Sequence, residues 1–188
     1  LGVLTGEVVD VPFLAAPGFI KIDGMGKFPD VSSCKKLKLT VKTNDEEEYK
    51  GYRCGFGTKT PPDTMPYIHG FKANFNVVAT DDFQHVIIPF DEFSDKWDGA
   101  TGEQTVTCAD NNDYCPDTVT LADMHEFNLW AEGVDGKVNL IVKSISAIEC
   151  DGMKNPNVGN PDGMVLIEDF SSPRLRWTQK NDPVMGVR

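Results

Sequence analysis

No apolar run in the 188 residues approaches the ~20 needed for a helix to cross a bilayer, so the stretch holds no helical span. Histidine is scarce: His69, His85 and His125 lie far apart, and His85, between Gln84 and Val86, reads as a hydrogen-bonded structural residue of a core strand. Cysteines in CxxC spacing with a second ligand pair are missing, which disfavours zinc. No Gly-x-Ser-x-Gly elbow is present, and Ser32, Ser33 and Ser94 fall in ordinary loops, so hydrolase chemistry lacks its usual nucleophile. Gly55-Phe-Gly57 is too short to cradle phosphate and reads instead as room for an aromatic neighbour to lie across a strand. Positive charge is also short, with 18 Lys and Arg against 29 Asp and Glu for a net charge of −11. A chain so acidic, without a sizeable basic patch, is repelled by a phosphate backbone, and nucleic acid is not expected as a partner.

What the chain does have is period-two alternation. In Lys36-Leu-Lys-Leu-Thr-Val-Lys42, Leu37, Leu39 and Val41 face one way while Lys36, Lys38, Thr40 and Lys42 face the other. That is the pattern of a half-buried strand. Similar runs cover Gly2–Val11, Gly18–Ile22, Tyr49–Thr58, Gly70–Val78, Glu126–Glu132 and Lys137–Glu149. Phe83–Phe90 is nearly all apolar, as expected of a central strand covered on both faces. In the run from Lys137 the core phase slips between Val142 and Ile145, which predicts a bulge near Lys143-Ser144. Asn44–Glu48 reads as a solvated tip and Lys59–Pro66 as a rigid proline-rich loop. Thr120–His125 reads as a short helical turn capped by Thr118 or Thr120. With 40% apolar and 10% aromatic residues, about eight strands and no alternating helices, the chain is expected to be all-β, a jelly-roll β-sandwich.

Three units are expected: a sandwich at 1–150, a linker at 151–164, and residues 165–188, where strand character resumes. The start at Leu1-Gly-Val-Leu-Thr5 reads as the inside of a strand, so a targeting segment falls out of view. The five cysteines are an odd count. Cys108 and Cys115 enclose a short polar loop and suit a disulfide, with a zinc pair or two free thiols as alternatives. Cys34 and Cys150 flank strand ends and could meet, leaving Cys54 buried.

For chemistry, the candidates are few. Asp110, Asn111, Asn112, Asp113 and Asp117 offer hard oxygens but not the EF-hand spacing, so a solvated loop is the simpler reading. Asp81-Asp82 and Asp91-Glu92 are adjacent pairs whose side chains point apart, unlike glycosidase carboxylates. The best binding surface is the polar face formed by Arg53, Lys72, Asn74, Asn76, Asn128 and Trp130 if their strands are neighbours. Amides, cations and an indole on one face suit a sugar or a docked protein, and an exposed Trp130 would be its anchor. The loops of Asp91–Thr120, which hold Phe93 and Trp97, are long enough to add contacts. No metal, cofactor or catalytic residue is expected.

Asp169-Phe170, Trp177 and Asn181-Asp-Pro-Val-Met-Gly186 resemble the opening segment of the complex I intermediate-associated protein 30 domain family. Gly18-Phe-Ile, Tyr52, Ile88-Pro-Phe-Asp-Glu-Phe93 and Gly136-Lys-Val-Asn-Leu-Ile-Val142 are similar to its interior, in the style of its algal or diatom branch. The resemblance implies a galactose-binding-like jelly roll without catalytic residues. It implies a non-enzymatic module that assists assembly of, or is bound as a subunit to, a large organellar redox or photosynthetic membrane complex. A chloroplast, thylakoid-associated location is favoured over the mitochondrion. In the family the Asp-Phe…Trp…Asn-Asp-Pro segment comes first; here it comes last, so it either opens a second repeat or folds back onto the first domain. The alternative function is a carbohydrate-binding module of a secreted or luminal protein that uses Trp130, Trp97 and the asparagines.

Overall fold

The computed structural model describes residues 1–11, 13, 16–43, 48–58, 70–99, 101–152 and 163–183. The tip at 44–47, the proline-rich loop at 59–66, His69, linker residues 153–162 and Val184–Gly186 lie outside the described residues. Two five-stranded antiparallel sheets pack as a jelly-roll-like sandwich. The first sheet runs β1 (Gly2–Val8), β10 (Gly136–Ile148), β5 (Lys36–Thr43), β8 (Thr80–Pro89), and β11 (Val165–Asp169) also pairs with β10. The second runs β12 (Arg176–Asn181), β4 (Phe19–Met25), β9 (Glu126–Glu132), β6 (Tyr52–Gly57), β7 (Phe71–Asn74). A small ribbon pairs β2 (Asp10–Val11) with β3 (Ala16–Pro17).

Alternation decides which side chains enter the core. Leu37, Leu39 and Val41 of β5 join Val138, Leu140 and Val142 of β10, facing Tyr52, Cys54 and Phe56 of β6 and Phe127, Leu129 and Ala131 of β9, all buried. Removing such side chains from water supplies the main driving force, about 1.5–3 kcal/mol for each large one. At one end the Phe56 ring packs 4.9 Å from Phe93 and 5.8 Å from Phe90. The β10–β5 ladder shifts register between Val142 and Ser144, where the phase slip marks a bulge.

Residues 165–183 supply one strand to each sheet. β11 pairs Ser144–Ala147 of β10, and β12 pairs Ile20–Met25 of β4. The Phe170 amide donates to the Lys143 carbonyl at 3.1 Å, and its ring lies 4.9 Å from Trp177. Trp177 in turn lies across Gly24, where a Cβ would come within 2.8 Å of the indole. The turn between the two strands is organised by one buried carboxylate. Glu168 accepts from the amides of Asp169, Arg174 and Leu175 and from Trp177 Nε1, at 2.9, 3.0, 2.9 and 3.0 Å.

Disulfides join Cys34 to Cys150 and Cys108 to Cys115. Cys54 is a buried free thiol whose pKa burial pushes up. Disulfides of this kind belong to an oxidising compartment.

Several expectations need correction. β8 is an edge strand, not a central one, and its Ile87 is 43% exposed. Its outward apolar residues lie beside lysine stems of β5, which explains a run that is apolar without being buried. His85 on the same strand is exposed, not in the core, with its Nδ1 3.3 Å from Thr40 Oγ1. The helical turn is α1 (Thr118–Ala122), capped by Asp117 accepting from the Thr120 amide at 2.7 Å. Asp ranks above Thr as an N-cap, and its charge suits the positive end of a helix.

Candidate functional site

The outward face of the second sheet is where the sequence placed its binding residues. β9 is the central strand and carries Glu126, Asn128, Trp130 and Glu132 outward at every second position. Arg53 is in register with Trp130 on one side and with Asn74 on the other. Lys72 is opposite Gly55, which is itself opposite Asn128. The structure therefore brings Arg53, Lys72, Asn74, Asn128 and Trp130 together, while exposed Asn76 lies beyond the end of β7.

Alternation predicts a wet face, and most of it is buried instead, with Lys72 half-buried and Asn74 exposed at its edge. Trp130 is 4% exposed, and Arg53, Asn128 and Glu132 are buried with it. Its cover includes a hairpin-like part of the long loop. Ser94 bridges to Lys72 in both directions, at 2.9 and 3.1 Å. Trp97 pairs with Gln104, and Asp98 N donates to Glu103 O at 2.8 Å. This brings the Trp97 ring over the cations, 5.1 Å from the Arg53 guanidinium and 4.5 Å from Lys72 Nζ. The approach depends on glycine. A Cβ on Gly102 would fall 2.7 Å from Arg53 Nη1 and one on Gly133 2.6 Å from Nη2, and both residues have positive φ.

Under this cover the charges neutralise one another. Glu132 takes ion pairs from Arg53, at 2.9 Å, and from Lys72. Arg53 Nε also donates to Asn74 Oδ1 at 2.8 Å. Further along, Lys21 and Asp23 are each 1% exposed and 3.0 Å apart, and Lys180 reaches the other Asp23 oxygen at 2.9 Å. Both Asp23 oxygens sit at ion-pair distance without hydrogen-bond geometry. The Trp130 ring is flanked by the ammonium groups of Lys21, at 4.4 Å, and Lys72, at 4.7 Å. A relay runs along β9: Trp130 Nε1 donates to Asn128 Oδ1 at 2.6 Å, and Asn128 Nδ2 to Glu126 Oε1 at 3.4 Å. Gly55 makes room for that amide, since a Cβ there would meet Asn128 Oδ1 at 2.6 Å. The neighbour it admits is polar, not the aromatic expected.

Sequence reasoning missed Lys21, Asp23, Glu126 and Glu132. The available signal was polar residues two apart on strands, the opposite charges of Lys21-Ile-Asp23 and the acid and amide of Glu126-Phe-Asn128, which alternation puts on one face. Burial lowers the Lys72 pKa, with Glu132 opposing it. Burial, reinforced by Asp23, raises that of Glu126. A carboxyl with a folded pKa above its unfolded one loses stability as pH rises through that window. Glu126→Gln keeps an acceptor for Asn128 and is therefore expected to raise the urea midpoint at pH 7. The gain should shrink as pH falls toward about 4, where unfolded glutamate is itself half protonated. A lower midpoint at pH 7 would refute this.

The oxygen-rich cysteine loop is used locally. Asp110 accepts from the Thr107 amide and hydroxyl at 3.0 and 2.6 Å, and these bonds lower its pKa. Comparison with family models, curated proteins and solved structures finds no match for this chain.

Proposed function

We propose that the chain is a non-catalytic protein-interaction module that assists assembly of, or sits as a subunit in, an organellar redox or photosynthetic membrane complex. We favour the thylakoid over the mitochondrion. Its resemblance to the complex I intermediate-associated protein 30 domain family supports this reading, and the disulfides suit an oxidising compartment. The observation that carries it is the segment Asp91–Asp117, a long loop built as a firm acidic surface. It is closed by Cys108–Cys115, braced by the Ser94 and Trp97 bridges, and exposes Asp91, Glu92, Asp95, Asp98, Glu103 and Asp110. A loop of this length that is internally bonded has a use beyond connection. Its charge selects a basic patch on a partner and speeds the encounter. The sugar reading loses its stacking platform, because the Trp130 ring is buried between two ammonium groups.

The test is native-gel co-migration of the chain with complexes from thylakoid and mitochondrial membranes, beside a glycan array. Co-migration should be lost on Asp95→Lys with Glu103→Lys, and the array should stay blank. Glycan binding that is lost on Trp97→Ala would instead make the chain a carbohydrate reader. Co-migration with no complex would overturn the proposal.

A further inference from the structure

The outward face of the first sheet has the opposite character, and the loop surface just described has no part in it. Along β5, Lys36, Lys38 and Lys42 point away from the core formed by Leu37, Leu39 and Val41. Each lysine lies in a row across the sheet. Leu166, Ser146, Lys38 and Ile87 are in register across β11, β10, β5 and β8. Val3, Ile141 and Lys42 are in register across β1, β10 and β5. The bulge at Val142–Ser144 adds a fourth ammonium: Lys42 and Lys143 both stand over the Phe83 ring, at 5.4 and 5.7 Å. Val3, Leu166 and Ile87 are 51%, 40% and 43% exposed.

The acidic groups of this face lie toward its margins. Glu149 pairs with Lys36 at 2.6 Å, Asp169, opposite Ser144, accepts from the Ser171 amide and feels Lys143, Glu7 is in register with Lys137, and exposed Asp81 lies beside Lys42. Among the described residues Lys42 donates to the Asp81 carbonyl, at 2.8 Å, and makes no ion pair, and Lys38 makes neither an ion pair nor a hydrogen bond. In a chain of net charge −11, this is a local reversal of sign with exposed aliphatic groups set among the cations.

We propose that this face docks an extended, acidic segment of a partner protein, running along β5. Lysines two residues apart on a strand are spaced at ~6.8 Å, which is also the two-residue repeat of an extended ligand. At that repeat the carboxylates of such a segment share one face and would meet the ammonium groups, with its backbone lying over the row between Ile87 and Ser146. A protein segment fits better than an anionic bilayer for two reasons. The aliphatic groups lie in the sheet plane among the lysine stems and do not protrude to insert. A bilayer would also confront the acidic remainder of the chain, whereas a strand-sized ligand meets only the face, the rest being screened beyond ~8 Å.

The test is fluorescence anisotropy of a short labelled peptide of alternating glutamate and valine, with an alternating lysine–valine peptide and phosphatidylglycerol vesicles as comparisons. The glutamate peptide should bind saturably, more weakly at higher salt, and roughly tenfold more weakly to Lys38→Glu/Lys42→Glu, a change of four charges at surface-pair strength. Both lysines are half-buried and point away from the core, and an unchanged melting curve shows that the variant is folded. Absence of saturable binding, or equal binding by the variant, overturns the proposal. Vesicle binding without peptide binding overturns it in favour of a membrane. Either failure leaves the acidic loop, read by co-migration, standing on its own.

Discussion

Replacing Glu132 with alanine is expected to cost about 3–5 kcal/mol of folding stability, the penalty for stranding buried charge. Glu132 is the only acid paired with both Arg53 and Lys72 among the described residues. Neither cation can simply swing into water. Arg53 is wedged between Gly102 and Gly133, and Lys72 lies beneath Trp97 and against Trp130. Without Glu132 two positive charges remain side by side, and the added space is lined by cations. The same reasoning predicts a rescue. Exchanging all three for methionine removes the charges together and should recover most of the loss, since an apolar replacement of similar volume is often neutral or better than a buried ion triad. Urea unfolding at pH 7 reads both variants, and tryptophan fluorescence reports whether Trp97 has left the face. A loss below about 1 kcal/mol for Glu132→Ala would mean that water reaches the cluster and the pairs behave as surface ones.

That cluster also marks how far the sequence could be read. Strand β5 is legible to the residue because its alternation is unbroken, and β9 likewise from Glu126 to Glu132. The bulge in β10 is legible because a one-residue slip reverses every later side chain, so the apolar phase itself records it. The second sheet's polar face is legible as a grouping, since Arg53, Lys72, Asn74, Asn128 and Trp130 all fall on outward positions. Its burial is not. Whether an outward residue meets water depends on what the chain lays over it from far away in sequence, here Trp97 and Gly102, and period-two alternation holds no information about that. For the same reason β8 misleads: its apolar run states hydrophobicity, whereas its place at the edge is set by which strands pair. The partners of Glu168 are just as hidden, because a carboxylate gathering four donors from a turn looks in sequence like any exposed acid.

Removing the Cys34–Cys150 bridge by Cys34→Ser/Cys150→Ser is expected to cost about 5 kcal/mol, against about 2.5 kcal/mol for Cys108→Ser/Cys115→Ser, on the chain-entropy account. The difference comes from loop length. One bridge spans 116 positions and the other 7. The long bridge forbids the unfolded chain from separating the start of β5 from the end of β10. In the fold it lies at the end of the β5–β10 ladder, just past the Lys36–Ile148 pair, where Lys35 N donates to Ile148 O and Asp151 N to Ser33 O. The ladder brings the two cysteines together unaided, so the bridge acts mainly on the unfolded ensemble. Its loss should leave the native spectrum intact while the unfolding midpoint drops. The short bridge acts locally, and its loss should loosen the acidic loop with only a modest effect on global stability. Urea titrations of the two double variants, with hydrogen exchange at residues 105–117, separate the cases. Equal losses, or a larger loss from the short bridge, would show that local packing and not chain entropy governs what these cysteines contribute.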